Sequence, residues 1–174
     1  MPGPRQISFL SPSSESSSLT NYKQVLEEEA SRRKIRVSYH DRGAQYGRAA
    51  LGGRRVYIPN PRSFTSFFTG LHEIGHIARD HHAWDGKPEY QWEFEAFSWA
   101  LEFCRKKRIR VPERNVNIER DIIAEKVREE VDDGAKKLNS RIVKFVKEGS
   151  RRDPDVAFVK KSISDDGVAR DSPD

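Results

Sequence analysis

A chain of 174 residues is long enough for one domain with its own core and too short for two of ordinary size. Hydrophobic residues make up 35% and charged residues 34%, so part of the length, expected at the ends, is solvated rather than packed. The lone cysteine, Cys104, excludes an internal disulfide and any zinc finger built on thiolates, and a formal net charge of +5 inclines the chain toward acidic partners without requiring one. No apolar run reaches the roughly 18 residues of a membrane span, and the start Met1–Arg5 lacks the apolar stretch of a secretory signal. The expectation is a soluble, cytoplasmic protein that does not enter the membrane.

Residues 1–18 are rich in serine and proline and poor in apolar side chains, which predicts a flexible tail outside the fold. From Asn21, a plausible N-cap, Tyr22, Val25, Leu26 and Ala30 recur at helical spacing and predict a short helix over 21–34. The period then drops to two, with Ile35, Val37 and Tyr39 alternating with Arg36, Ser38 and His40, as in a half-buried strand. Gly52-Gly53 separates two further extended runs, Tyr46–Leu51 and Arg54–Ile58, and reads as a two-residue hairpin. These runs predict a small antiparallel sheet of three strands, closed off by Pro59 and Pro61, which cannot donate to a ladder.

Ser63 or Thr65 caps the next predicted helix, which carries Phe64, Phe67, Phe68, Leu71, Ile74 and Ala78 and runs to about His81. A second helix from Tyr90 to Lys107 has apolar residues almost all the way round, the mark of a buried element. Past Pro112 a long, more polar helix is predicted over 117–148, with Gly149 as its stop and Gly134 as the place where it can break. The charged stretch from residue 150 reads as a second flexible tail. The fold class is therefore α+β, with the domain over 19–149 and tails at 1–18 and 150–174.

The chemistry is concentrated in His72-Glu73-Ile74-Gly75-His76, a His-Glu-x-x-His motif inside a segment already read as helix. Two histidines four apart sit about 6 Å along the axis and about 40° around it, so both imidazoles can close on one ion. Glu73 lies about 100° round the helix from His72, poised to act on a water held by that ion rather than to join the ligands. The flanks Leu71, Ile74 and Ile77 bury part of this turn, where unpartnered polar groups are costly. With only one cysteine, a third ligand must be a carboxylate or another histidine. Glu93 and Glu95 both fall in the apolar helix, and periodicity alone does not choose between them.

The run Phe67–His76, followed by Glu93-Phe94-Glu95-Ala96-Phe97-Ser98-Trp99-Ala100, resembles the ImmA/IrrE metallopeptidases over about residues 20–110. The resemblance implies a zincin-like active-site helix packed with the sheet and the second buried helix. It also implies Zn²⁺ held by His72, His76 and the glutamate before the alanine, Glu95, with Glu73 as general base. By the same resemblance the activity is that of a zinc endopeptidase, and the substrate is a protein, a helix-turn-helix repressor. The chain departs from the family after the Glu-x-Glu-Ala helix, which runs into the basic stretch Arg105–Arg110, and is too short for a full-sized accessory domain, which suggests a stand-alone catalytic unit.

Tyr90, His81, His82 and Arg79 are the sequence's candidates for stabilising an oxyanion, and the upstream hairpin edge for pairing with an extended peptide. A rival reading is a non-catalytic module that binds protein or nucleic acid, carried by Arg105-Lys106-Lys107-Arg108 and Arg110, with Arg151-Arg152 and Lys160-Lys161 beyond. A third is a purely structural zinc with His81 or His82 as fourth ligand. Gly75 inside a helix predicts a close neighbour, and Cys104 a small buried hydrophobe.

Overall fold

The computed structural model describes residues 15–81 and 86–149, with side chains from residue 22. Helix α1 (Glu15–Arg32) leads into strand β1 (Arg36–His40). Strands β2 (Arg48–Ala50) and β3 (Arg55–Pro59) follow, joined through a 3-10 turn at Leu51–Gly53, and then helices α2 (Phe64–Ala78), α3 (Glu89–Lys106), α4 (Glu113–Asp132) and α5 (Ser140–Gly149). The first helix begins at Glu15 rather than at Asn21, so 15–18 are helical and not part of a tail. The flexible stretches expected at 1–14 and 150–174 lie outside the described residues.

The sheet is mixed, not antiparallel. Its strand order is β1-β3-β2, with β1 parallel to β3 and β2 antiparallel to β3. Alternation tells which side chains share a face but not which way a strand runs, and the glycine pair constrains only the two strands that it joins. The turn itself differs too. Leu51–Gly53 form one 3-10 turn, and the residue with positive φ is Arg54 (φ 43°), not either glycine.

Along β3 the burial alternates: Val56 and Ile58 are fully buried and point toward the helices, while Arg55 and Tyr57 face outward. On the inner side Leu26, Phe67, Phe68, Leu71 and Ile74 join them in one core, each side chain worth roughly 1.5–3 kcal/mol on burial. Helix α2 is therefore the molecule's central element, covered by the sheet and α1 on one side and by α3 on the other.

Ser63 starts α2 through a capping box: its hydroxyl accepts from the Ser66 amide (3.2 Å), and the Ser66 hydroxyl accepts from the Ser63 amide (3.0 Å). At Gly75 the backbone of α3 comes so close that an added Cβ would stand 2.8 Å from the Ala96 carbonyl oxygen. This is the neighbour that the interior glycine predicts. Helix α3 is buried along one broad stripe (Tyr90, Ala96, Phe97, Ala100, Phe103, Cys104) rather than all round.

The long C-terminal helix is in fact two. Helix α4 starts right after Pro112, and Gly134 (φ +88°) turns the chain toward α5 in a conformation that an L side chain resists. Among the described residues no helix is long and apolar enough to cross a membrane.

Candidate metal centre

His72 and His76 project from one face of α2 with their Nε2 atoms 3.0 Å apart. The residue that meets them is Glu93 of α3, with Oε2 2.9 Å from His72 Nε2 and Oε1 3.5 Å from His76 Nε2. Nitrogen and oxygen ligands held about 2.0–2.2 Å from a tetrahedral ion lie about 3.3 Å from one another, so the spacing of this trio fits such a site. His72, His76 and Glu93 are thus a group that can hold a metal ion. Two imidazoles and a carboxylate suit a borderline divalent cation better than calcium or magnesium, which prefer all-oxygen shells.

Glu95, the third ligand that the resemblance implies, is not brought to this point. It lies behind the site, where its Oε2 accepts from His81 Nε2 (3.1 Å) and both its oxygens accept from Lys87 Nζ (3.1 Å). Residues two apart on a helix point about 200° away from each other, so only one of Glu93 and Glu95 can face α2. The tight crossing of Gly75 on Ala96 sets the rotation of α3 that selects Glu93.

Each histidine is held from behind by a partner on its other nitrogen. His76 Nδ1 lies 3.0 Å from His81 Nδ1, and His72 Nδ1 lies 2.8 Å from Glu119 Oε2 on α4. An imidazole that offers Nε2 to an ion as a lone pair carries its proton on Nδ1, and one tautomer chain then fits the contacts behind the two histidines. His76 donates to His81, His81 donates through Nε2 to Glu95, and His72 faces the Glu119 carboxylate. The His72–Glu119 contact is close but off the angle of a good hydrogen bond, and neither atom has another partner to bond. Their attraction is mainly that of charge.

Protons and a metal ion compete for this cluster, because an imidazole that binds an ion must give up its proton. Burial works against a charge on His72, yet the Glu119 and Glu93 carboxylates outweigh it and hold its pKa well above that of a free histidine. For Glu93 burial likewise opposes the charge, but hydrogen bonds to His72 and His76 keep it ionised far below the usual carboxylate range. His81 goes the other way: burial lowers its pKa, which keeps it neutral, as its double role of acceptor and donor demands.

Glu73 is beside the trio but not in it. Its side chain is pressed against Gly47 in the loop between β1 and β2, where an added Cβ would stand 2.6 Å from Glu73 Cγ and Oε1. Burial raises its pKa above the usual carboxylate value, with His72 and His76 acting in opposition. Glu73, the trio and Glu119 all line one cleft of about 430 Å³. One wall is Gln45–Ala49, and the other is Ile118, Ile122 and Lys126 of α4.

Of the four oxyanion candidates, Tyr90 is fully buried and its hydroxyl accepts from the Asn139 amide (3.1 Å). His81 is taken up behind His76, Arg79 is exposed at the end of α2, and His82 lies outside the described residues. The cations that do line the cleft are Arg48 and Lys126, neither singled out in the sequence. Glu119 was missed as well, although its i, i+4 row, Asn115-Glu119-Ile123-Val127, is the buried row of α4 and marks it as a carboxylate on an apolar face. A scan against protein-family models finds no match, and searches of curated proteins and of solved structures find none either.

Proposed function

We propose that this chain is a zinc-dependent metallopeptidase that hydrolyses a peptide bond within a protein substrate. The observation that carries this reading is the position of Glu73, half-buried and adjacent to a two-histidine, one-carboxylate cluster, in the lining of an open cleft. His72, His76 and Glu93 would hold the ion and leave a four-coordinate metal one position for water. When bound there, zinc supplies the positive charge that acidifies a water and polarises a carbonyl.

The protein's own residues do the rest. Glu73 takes a proton from the attacking water onto its carboxylate and passes it to the leaving amine, which its raised pKa favours. Glu119 and the His81–Glu95 pair fix the two imidazoles in the tautomer with Nε2 toward the cleft. Strand β2 is an edge of the sheet, and Arg48 and Ala49 line the cleft, so an extended substrate can add alongside it through main-chain bonds.

The resemblance to the ImmA/IrrE metallopeptidases supports the same reading and implies a helix-turn-helix repressor as substrate, a cytoplasmic setting and a zincin-like packing of α2 against the sheet. The third ligand is then Glu93, in place of Glu95. The test combines metal analysis with a peptide library digested from a whole proteome and read by mass spectrometry. Wild-type protein is expected to carry about one equivalent of zinc and to cut library peptides, and Glu73→Gln to keep the zinc and lose cleavage by at least 100-fold. Equal cleavage by Glu73→Gln would remove the proposed mechanism.

A further inference from the structure

The outer face of the sheet has an unusual make-up. Strands β1, β2 and β3 contain Arg36, Arg48 and Arg55 and not one Asp or Glu. Register puts these arginines together: Arg36 is opposite Arg55, and Arg48 is opposite Tyr57, which is itself opposite Ser38. Neighbouring strands lie about 4.8 Å apart, so this face gathers its cations within about 10 Å across the strands. Lys34 and Arg54 extend the charge at one end, where Arg54 is tied to the Arg33 carbonyl (2.7 Å). Among the described residues none of Lys34, Arg36, Arg48, Arg54 and Arg55 is ion-paired with a carboxylate.

Among the described residues, the two large apolar side chains most open to solvent are Tyr57, on this face, and Tyr46, which lines the cleft beside it. Tyr57 is 39% exposed in the centre of the sheet, and Tyr46, in the loop leading into β2, is 62% exposed. Charged side chains on edge strands commonly guard against edge-to-edge pairing, which would account for Arg36 and Arg48. It does not by itself account for Arg55 on the central strand, which donates to the Tyr57 hydroxyl (3.0 Å) and lies 5.9 Å from the centre of that ring, nor for the exposure that the ring keeps beside it.

We infer that this face binds single-stranded nucleic acid, with the arginines along the phosphates and Tyr57 and Tyr46 stacked on bases. Exposed rings favour a single strand, because the base faces of a duplex are already covered by their neighbours. An acidic peptide would use the cations and leave the rings idle. The basic run at 105–110 is a weaker candidate: it wraps the end of α3, Lys106 is paired with Glu102 (2.8 Å), and Arg108 (φ 56°) turns the chain away. This inference is independent of the metal centre, since no ligand or base takes part in it.

Fluorescence polarisation of the full chain with a labelled 15-residue oligothymidylate tests it, using Arg36→Glu/Arg55→Glu, Tyr57→Ala and, as a control at the α3 end, Lys106→Glu/Arg108→Glu. Four phosphate contacts predict a slope of about −3 in log affinity against log salt, which is a loss of about 60-fold between 50 and 200 mM. The double arginine variant is expected to lose at least about tenfold, and Tyr57→Ala at least about fivefold, while the control stays within about twofold. Circular dichroism checks that each variant is folded. Absent binding at 50 mM salt, unchanged affinity in the double arginine variant, an equal loss in the control, tighter binding to duplex DNA, or equal competition by polyglutamate would each overturn the inference.

Discussion

Glu93 and Glu95 are two residues apart, yet only one can reach the histidines. Glu93→Gln is expected to weaken metal binding by at least about 100-fold. Glu95→Gln acts only through His81 and should cost about tenfold or less. Competition titration against a chelating dye measures both, and the reverse ranking would return the third ligand to Glu95. Glu119→Gln keeps the shape of the His72 contact and loses the charge, so affinity should fall about 10–100-fold while stoichiometry at saturation stays at one. Gly47→Ala makes a different prediction. Its methyl group would stand 2.6 Å from Glu73 Cγ and Oε1, so that side chain must move: metal content should not change, but peptide cleavage should drop at least tenfold as the carboxylate is displaced.

Cys104 provides the pH-dependent case at this scale. Burial pushes its thiol up to about 12, so native protein at pH 8 should resist thiol reagents for hours. The unfolded thiol ionises near its ordinary value of 9.0 while the folded one stays neutral, so its contribution is complete below pH 9 and is lost between 9 and about 12. Labelling by a disulfide reagent should track the unfolding transition, and fast labelling of folded protein would contradict the burial.

Among elements, α2 was the most legible, because its capping residue, apolar face and metal-binding spacing all fall within one local window of sequence. What could not be read locally depends on how elements meet. The direction of β1 is set by its pairing with β3, some 19 residues away in register (Arg36 to Arg55), and not by its alternation. The choice of Glu93 depends on the rotation of α3 about its axis, and Glu119 reaches His72 from a third helix. The break at Gly134 was visible as a residue but not as an outcome, since an isolated glycine can also sit inside a helix.

The crossing of α2 on α3 makes this dependence measurable. Gly75→Ala adds a methyl group 2.8 Å from a backbone oxygen that cannot swing away, and should destabilise the fold by about 1–3 kcal/mol despite the better helix propensity of alanine. Urea denaturation reads this directly. Because the same crossing aims Glu93, metal affinity should fall too, and a variant as stable as wild type would show that the two helices are not clamped there.

At the level of the whole molecule the candidate metal centre joins the central helix to two others: His72 and His76 come from α2, Glu93 from α3, and Glu119 from α4 behind His72. A ligand that binds only the folded chain stabilises it by about 2.7 kcal/mol at 100 times its dissociation constant. For a chain of this size that is a rise of about 5–10 °C in the unfolding midpoint on adding zinc, reversed by chelation. The outer sheet face and the cleft meet at Arg48 and Tyr46, which line the cleft as well as standing on or beside that face. A molecule seated on one therefore comes close to the other.

The centre itself is tested most directly by anomalous diffraction from crystals of zinc-loaded protein, with data collected on both sides of the zinc absorption edge. The expected result is a single strong peak bounded by His72 Nε2, His76 Nε2 and the Glu93 carboxylate, with Glu73 alongside and Glu95 turned away toward His81. A peak elsewhere, or none between the two imidazoles, would contradict it.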